Sequence, residues 1–387
     1  MDLNNKKISI AVEMFFTVVL FLNSAGPLSS DNSLSCEANS KSAEQPPAPE
    51  LQVKAFCKFG AGKADASAAA INPPDGLAFT RNGLLIATDA MNHRIQVFNP
   101  ITGEYLGHAG DAALITGLIV NVISLPDDGL LASDETASQA YRFEKAADSR
   151  AGYRLAGKPL FKGDGFSRLN GLACDSKKRI YVVDGDKGDV RRYLLPDLKP
   201  DPSWKFQTNK PVLNRSEGIA IDEKTGTLFL ASERDGIIHV FSPETGQWLG
   251  KTIGRRTAPL TGKPLGQSVF QSSVEGLAVM GDYLFAVDEG YADPAANRTG
   301  HLLVFDLSSP ALYETGAEEC RARMEAGAAE GLVGWIGSYR SPDTVAVFPG
   351  DGNSEAMIAV ADQGAYQVLV YLWKDVLAAL QKASKGK

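Results

Sequence analysis

Ser216-Glu-Gly-Ile-Ala-Ile-Asp-Glu-Lys-Thr-Gly-Thr-Leu-Phe-Leu-Ala-Ser-Glu-Arg-Asp-Gly-Ile-Ile-His-Val-Phe241 is the stretch whose reading decides the fold. Its three short runs of β-forming residues, 219–221, 227–231 and 237–241, are separated by Lys-Thr-Gly and Arg-Asp-Gly, which are turn chemistry. The pattern predicts a three-stranded meander. Glu217 stands just before the first strand, Asp222 just after it, and Glu233 just after the second.

The unit recurs. Its first strand is matched at Pro74-Asp75-Gly76-Leu77-Ala78, Val120-Asn121-Val122-Ile123, Leu169-Asn170-Gly171-Leu172-Ala173, Val274-Glu275-Gly276-Leu277-Ala278 and Pro342-Asp343-Thr344-Val345-Ala346. Second strands end at Asp89, Asp134, Asp184, Glu233, Asp288 and Asp362. A third strand follows each, and a fourth is usually closed by glycine, as in Tyr105-Leu106-Gly107 and Trp248-Leu249-Gly250. Repeats of about 45 to 75 residues with four short strands each are the signature of propeller blades. The expected fold is therefore all-β: a six-bladed β-propeller of four-stranded antiparallel blades. The last repeat lacks a fourth strand, while a spare one precedes the first repeat. Residues 53–59 are thus expected to pair onto 368–371 and close the ring, which removes two sheet edges. A short helix is expected over 374–382, and a surface helix over 318–329 within an insertion at 290–332.

Outside the repeats, residues 1–26 read as an export signal, with Lys6 and Lys7, an apolar run over 8–22, and Ser24, Ala25 and Gly26. The run is shorter than the roughly 20 residues that span a bilayer, so cleavage and a secreted or periplasmic product are expected, without stable membrane insertion. A Ser- and Pro-rich linker over 27–50 precedes the propeller at 51–373, and a helix and tail at 374–387 follow it. Apolar residues make up 44% and charged residues 22%, ordinary for a soluble globular chain. The net charge of -7 excludes nonspecific nucleic-acid binding and favours cations. Cys36, Cys57, Cys174 and Cys320 match no zinc spacing; Cys174 reads as core, and a Cys36–Cys57 bridge is one possible pairing.

First strands of propeller blades line the central channel, so residues at their entrances gather on one face. Those positions are Asp75, Asn121, Asn170, Glu217, Glu275 and Asp343, all oxygen-bearing. At an effective dielectric of about 20, two carboxylates roughly 5 Å apart repel by about 3 kcal/mol. Such a ring calls for protons or a cation, and an all-oxygen set without histidine or cysteine suits calcium. Against this, Asp-Gly and Asn-Gly pairs also suit turns, which accounts for Asp75 and Asn170 better than for the two Glu-Gly pairs. The acids closing the second strands read as acceptors for backbone N–H groups of the following turn. Glu233 departs from that series by being a glutamate and is expected to be an extra metal ligand. Arg168, Arg215 and Arg340 lie two or three residues before ring positions and could bring positive charge to substrate at the mouth. Asn214 and Asn297 sit in glycosylation sequons.

Blades four to six resemble the β-propeller phytases, through Glu217-Gly218 to Asp222, Thr225-Gly226, Leu228-Phe229, Glu233 to Gly236, Val274-Glu275-Gly276-Leu277, Asp343 and Ala361-Asp362. Blades one to three resemble NHL and SMP-30/gluconolactonase-like repeats, as at 87–98. The phytase resemblance implies that Glu217, Glu233, Glu275 and Asp343 hold calcium ions that polarise a substrate phosphate, with Glu217, Glu275 and Asp343 central to catalysis. Where that family has an aspartate two residues before Glu275, this chain has Ser273, and it lacks the family's arginine in blade two and tyrosine in blade three. Three functions stay open. The first is calcium-dependent hydrolysis of a small phosphate ester. The second is SMP-30-like lactonase or esterase chemistry, with Asn121 and Asn170 as neutral ligands. The third is a noncatalytic propeller that binds a protein or polysaccharide partner.

Overall fold

The computed structural model describes residues 48–110, 112–207, 213–254, 273–289, 299–309, 312–313, 331–352 and 354–385. The expected export signal, the linker up to residue 47, the 318–329 helix, Cys36, Cys320 and Asn297 lie outside them. Among the described residues no helix is long and apolar enough to cross a membrane.

The second strands carry most of the core. Thr227–Ser232 of blade four and Met357–Asp362 of blade six are buried at every position. They read as unbroken apolar runs because a neighbouring blade covers each face. In blade four, Phe229 and Ala231 pack toward blade five with Leu284 and Ala286, whereas Leu228 and Leu230 pack toward blade three with Tyr181 and Val183. Six four-stranded antiparallel sheets are built in this way. Their inner strands are Leu77–Phe79, Ile119–Ser124, Leu169–Cys174, Ser216–Asp222, Val274–Met280 and Pro342–Phe348. Phe79, Ala346 and Phe348 share one apolar cluster, so the sixth blade packs on the first and the ring is shut.

The N-terminal strand closes the ring as the repeat count requires. Cys57–Phe59 pairs antiparallel with Gln367–Leu372, with Cys57 opposite Val370 and Phe59 opposite Val368. The same arm also grips blade five: the Leu51 N–H donates to the Trp335 carbonyl at 2.7 Å, and the Trp335 indole donates to the Ala48 carbonyl at 2.9 Å. Two blades are therefore tied by one segment, which covers two sheet edges.

Three details differ from the sequence reading. The span 290–332 is not all insertion, because Gly300–Asp306 inside it is the third strand of blade five. The C-terminal helix is longer, Trp373–Lys385, and buries Val376 and Leu380 against blades five and six. Cys174 ends an inner strand half-buried, where burial pushes its thiol up to about 12, and neither it nor Cys57 is in a disulfide.

Candidate functional site

The pairing register shows which residues are equivalent. Ser216 sits opposite Ser232, Leu169 opposite Asp184, Val274 opposite Asp288, Pro342 opposite Asp362, and Ile119 opposite Asp134. Immediately after each of these pairs the inner strand bulges, which turns the next residue out of the ladder. That next residue is Asn170, Glu217, Glu275 or Asp343 in blades three to six. In blade two it is Val120, not Asn121, which pairs with Ser133 one step along and does not line the cavity.

The glycine that follows Asp75, Asn170, Glu217 and Glu275 has a separate cause. A Cβ on Gly218 would lie 1.9 Å from the Glu275 carbonyl, and one on Gly171 2.0 Å from that of Glu217. Adjacent inner strands approach so closely that only glycine fits. The Glu-Gly and Asn-Gly pairs are thus a packing requirement at the glycine, and the preceding side chain is left free for chemistry.

The same register corrects the second series. Blade four's closing residue is Ser232, so Glu233 lies one step beyond it, equivalent to Glu135, Glu289 and Gln363. The sequence reading missed those three residues. Their signal was there, as the residue following each closing position. The closing acids themselves are structural, though they mostly serve the loop before the inner strand and not the turn after. Asp184 accepts from the Ser167 and Arg168 N–H groups at 3.0 and 3.2 Å, and Asp362 from those of Arg340 and Ser341. Asp134 follows expectation, accepting from Ala137 N–H at 2.9 Å.

Together these positions line a cavity of about 170 Å³ at the channel entrance. Glu217, Glu275, Asp343, Val120 and Asn170 come from the inner strands, and Asp75 from just before that of blade one; Glu135, Glu233, Glu289 and Gln363 come from the exits of the second strands. Arg168 and Arg215, the residues before the inner strands of blades three and four, complete the wall. Arg340 is excluded: its side chain is exposed and does not line the cavity, because the equivalent position in blade six is Ser341. Asn214, the described sequon, is half-buried beside this wall.

Seven carboxylates therefore face two guanidinium groups. Arg168 places Nη1 2.5 Å from Glu217 Oε1 and Nη2 2.7 Å from Glu135 Oε2. Arg215, in a left-handed backbone conformation with φ of 58°, brings Nε to 2.8 Å from Glu233 and 3.3 Å from Glu217. Burial would raise Glu217, but these two cations outweigh it and hold the carboxyl below its ordinary range. Glu233, Glu275, Asp75 and Asp343 go the opposite way. Burial, reinforced by the neighbouring Glu217 charge, pushes Glu233 up to about 8 and Glu275 well above the ordinary value. Asp75 and Asp343 hydrogen-bond to each other, and burial lifts both. Gln363 Nε2 donates to both, at 3.0 and 2.9 Å. Glu289 is occupied by the hydroxyls of Ser273 and Ser341 at 2.9 and 3.2 Å.

One trio meets the test for a cation site. Single oxygens of Glu217, Glu233 and Glu275 all lie within 4.8 Å of one another. Oxygens bound to one calcium at about 2.3–2.6 Å cannot be further apart than about 5 Å. Glu275 is 4% exposed, and its Oε2 has no hydrogen-bond donor among the described residues. A buried acceptor left unpaired is costly unless something positive reaches it. The donor set is all oxygen, which suits a hard ion.

No protein-family profile matches the sequence, and no curated protein matches it. Solved structures share the fold. PQQ-bound aldose sugar dehydrogenase from Streptomyces coelicolor has TM-score 0.50 at 18% identity, covering 84% of this chain and 99% of that one. Kuenenia stuttgartiensis hydrazine synthase has TM-score 0.54 at 13% identity, covering 81% and 99%. A luciferin-regenerating enzyme has TM-score 0.50 at 12% identity, covering 78% and 91%. These are enzymes of different chemistry, so the likeness is one of fold and leaves the reaction to the site.

Proposed function

We propose that this propeller is an exported calcium-dependent hydrolase of phosphate esters, with Glu217, Glu233 and Glu275 holding the ion. The observation that carries the reading is the convergence of those three carboxylates within 4.8 Å around the unpaired Glu275 Oε2, with Arg215 beside them. Calcium, when bound, supplies positive charge to the phosphate oxygens and acidifies the attacking water. Arg215 is the cation left for the substrate anion. Its side chain is 31% exposed, against 15% for Arg168, and a guanidinium suits phosphate geometry.

The Asp75–Asp343 pair handles protons. Two carboxyls in contact cannot both ionise, so they share one proton, and Gln363 fixes them in place. The pair accepts a proton from water as the new P–O bond forms, and returns one to the ester oxygen as the old P–O bond breaks. The balance is ester plus water to alcohol plus phosphate.

The cavity narrows the substrate. A cavity of about 170 Å³ has room for an ion, one phosphoryl group and its water. A terminal phosphoryl group enters, and the remainder of the substrate stays outside. The lactonase alternative loses support, because Asn121, one of its two neutral ligands, does not line the cavity. The deciding assay is phosphate release from p-nitrophenyl phosphate in EGTA and in calcium. Release that requires calcium and is abolished in Glu233→Gln is expected. Release indifferent to EGTA, or turnover of an aryl lactone without phosphatase activity, overturns the reading.

A further inference from the structure

Arg168 and Arg215 occupy equivalent positions in adjacent blades, yet their surroundings differ. Arg168 is enclosed: Nε and Nη2 both lie 2.7 Å from Glu135 Oε2 of blade two, and Nη1 lies 2.5 Å from Glu217 Oε1 of blade four. Its backbone is pinned on both sides, the N–H donating to Asp184 at 3.2 Å and the carbonyl accepting from Gly185 N–H at 2.8 Å. Gly185 explains how the side chain crosses. It stands where other blades carry Glu135, Glu233, Glu289 or Gln363; a Cβ there would meet the Ser216 carbonyl at 2.9 Å, and Arg168 Nη1 lies in contact range at 3.5 Å. A longer side chain at that position would occupy the guanidinium's place.

We propose that Arg168 is a positioning residue, not a substrate contact: anchored by Glu135, it fixes the rotamer of Glu217 so that its carboxylate points at the same spot as Glu233 and Glu275. Three blades are linked through one guanidinium. The inference rests on the calcium site described above, and it assigns Glu135, 33 residues before Arg168, a role in that site without direct contact to the ion. A point charge cannot do this. The planar fork satisfies two carboxylates in fixed directions, which an ammonium does not.

Charge and position predict opposite signs, which makes the proposal testable. If Arg168 merely adds positive charge, Arg168→Met removes repulsion and calcium binds more tightly. If it positions Glu217, calcium binds about 10- to 100-fold more weakly, the usual effect of losing a partner that orients a metal ligand. The measurement is calcium titration calorimetry of the full-length protein and its Arg168→Met, Arg168→Lys and Glu135→Ala variants. Weakening in all three, with no rescue by lysine, is expected. Tighter binding in Arg168→Met, or wild-type affinity in Arg168→Lys, overturns the proposal.

A second measurement needs no metal: thermal unfolding in EGTA of Arg168→Met, Glu217→Gln and the double variant. If the two side chains are coupled, the double variant's change in Tm differs from the sum of the single changes. Strict additivity overturns the proposal even for a protein that binds no calcium. Wild type failing to bind calcium while coupling persists instead overturns the metal reading alone.

Discussion

Replacing Glu275 by glutamine should make the calcium-free protein more stable and the calcium-loaded protein inactive. At pH 7 the buried Glu275 has two unfavourable options. It can hold its proton above its ordinary range, as burial and the neighbouring carboxylates favour, which costs folding free energy at neutral pH. Or it can ionise within 4.8 Å of the Glu217 and Glu233 oxygens, where each ionised neighbour costs roughly 3 kcal/mol at an effective dielectric of about 20. Glutamine has the same shape and avoids both, and its amide can donate to the adjacent carboxylates. The gain in EGTA is then up to about 3 kcal/mol. At about 2 °C per kcal/mol for a domain of this size, that is about 6 °C in Tm. Calcium at about 100 times its Kd stabilises the wild type by about 2.7 kcal/mol, and the variant by almost nothing. The stability order of the two proteins should therefore converge on calcium addition, and differential scanning calorimetry in EGTA and in calcium reads both effects. A variant less stable than wild type in EGTA, or one with an undiminished calcium shift, refutes the reasoning.

Other perturbations test other parts of the structure. Gly218→Ala forces a Cβ to 1.9 Å from the Glu275 carbonyl, so urea unfolding should show a loss of about 1–3 kcal/mol or more, together with a reduced calcium shift. Stability in EGTA should fall at both ends of the pH range. Glu233, raised from 4.5 to about 8, contributes stability below its unfolded value that is lost as pH rises through about 8. His239, buried with neither ring nitrogen hydrogen-bonded among the described residues and lowered from 6.5 to about 4, contributes stability above pH 6.5 that is lost as pH falls through about 4. A Tm in EGTA that keeps rising from pH 6 to pH 9 would contradict the Glu233 assignment. Deleting residues through Phe59 removes the outermost strand of blade six and the Leu51 contact on blade five, so limited proteolysis should then cut first in Gln367–Leu372, the strand bared by the deletion. Cutting confined to other blades would argue against ring closure by this arm.

Blade number, strand order and the closing strand were legible in the sequence because each is enforced repeatedly: Asp-Gly or Glu-Gly at an inner strand, an apolar run, an acid at its end. The errors fall where a bulge intervenes. A bulge shifts side-chain facing by one residue, and no residue type marks it, so Asn121 was taken for Val120 and Glu233 was aligned with residues equivalent to Ser232. Glu135, Glu289 and Gln363 were passed over for a related reason: each follows an acid that is structural, and the sequence does not say which of the two neighbours turns inward. The Arg168 clamp could not be read at all, since it depends on contacts to blades two and four.

What repeats in this chain is therefore what holds the fold, and what fails to repeat is what makes the site. The glycine beside the channel answers a backbone clearance of about 2 Å, and the closing acid answers unpaired N–H groups; both recur for reasons that apply in several blades alike. The position just after the closing residue meets a backbone carbonyl in blade three but carries side chains in the others, and reads Ala90, Glu135, Gly185, Glu233, Glu289 and Gln363 around the ring. That variation has direction. Glycine in blade three makes room for Arg168, glutamate in blade four joins the trio, and glutamine in blade six bridges Asp75 and Asp343. Moving any one of these to another blade would preserve the sheet and destroy the arrangement. The asymmetry of the cavity is thus built at positions that the repeat does not hold to one residue type.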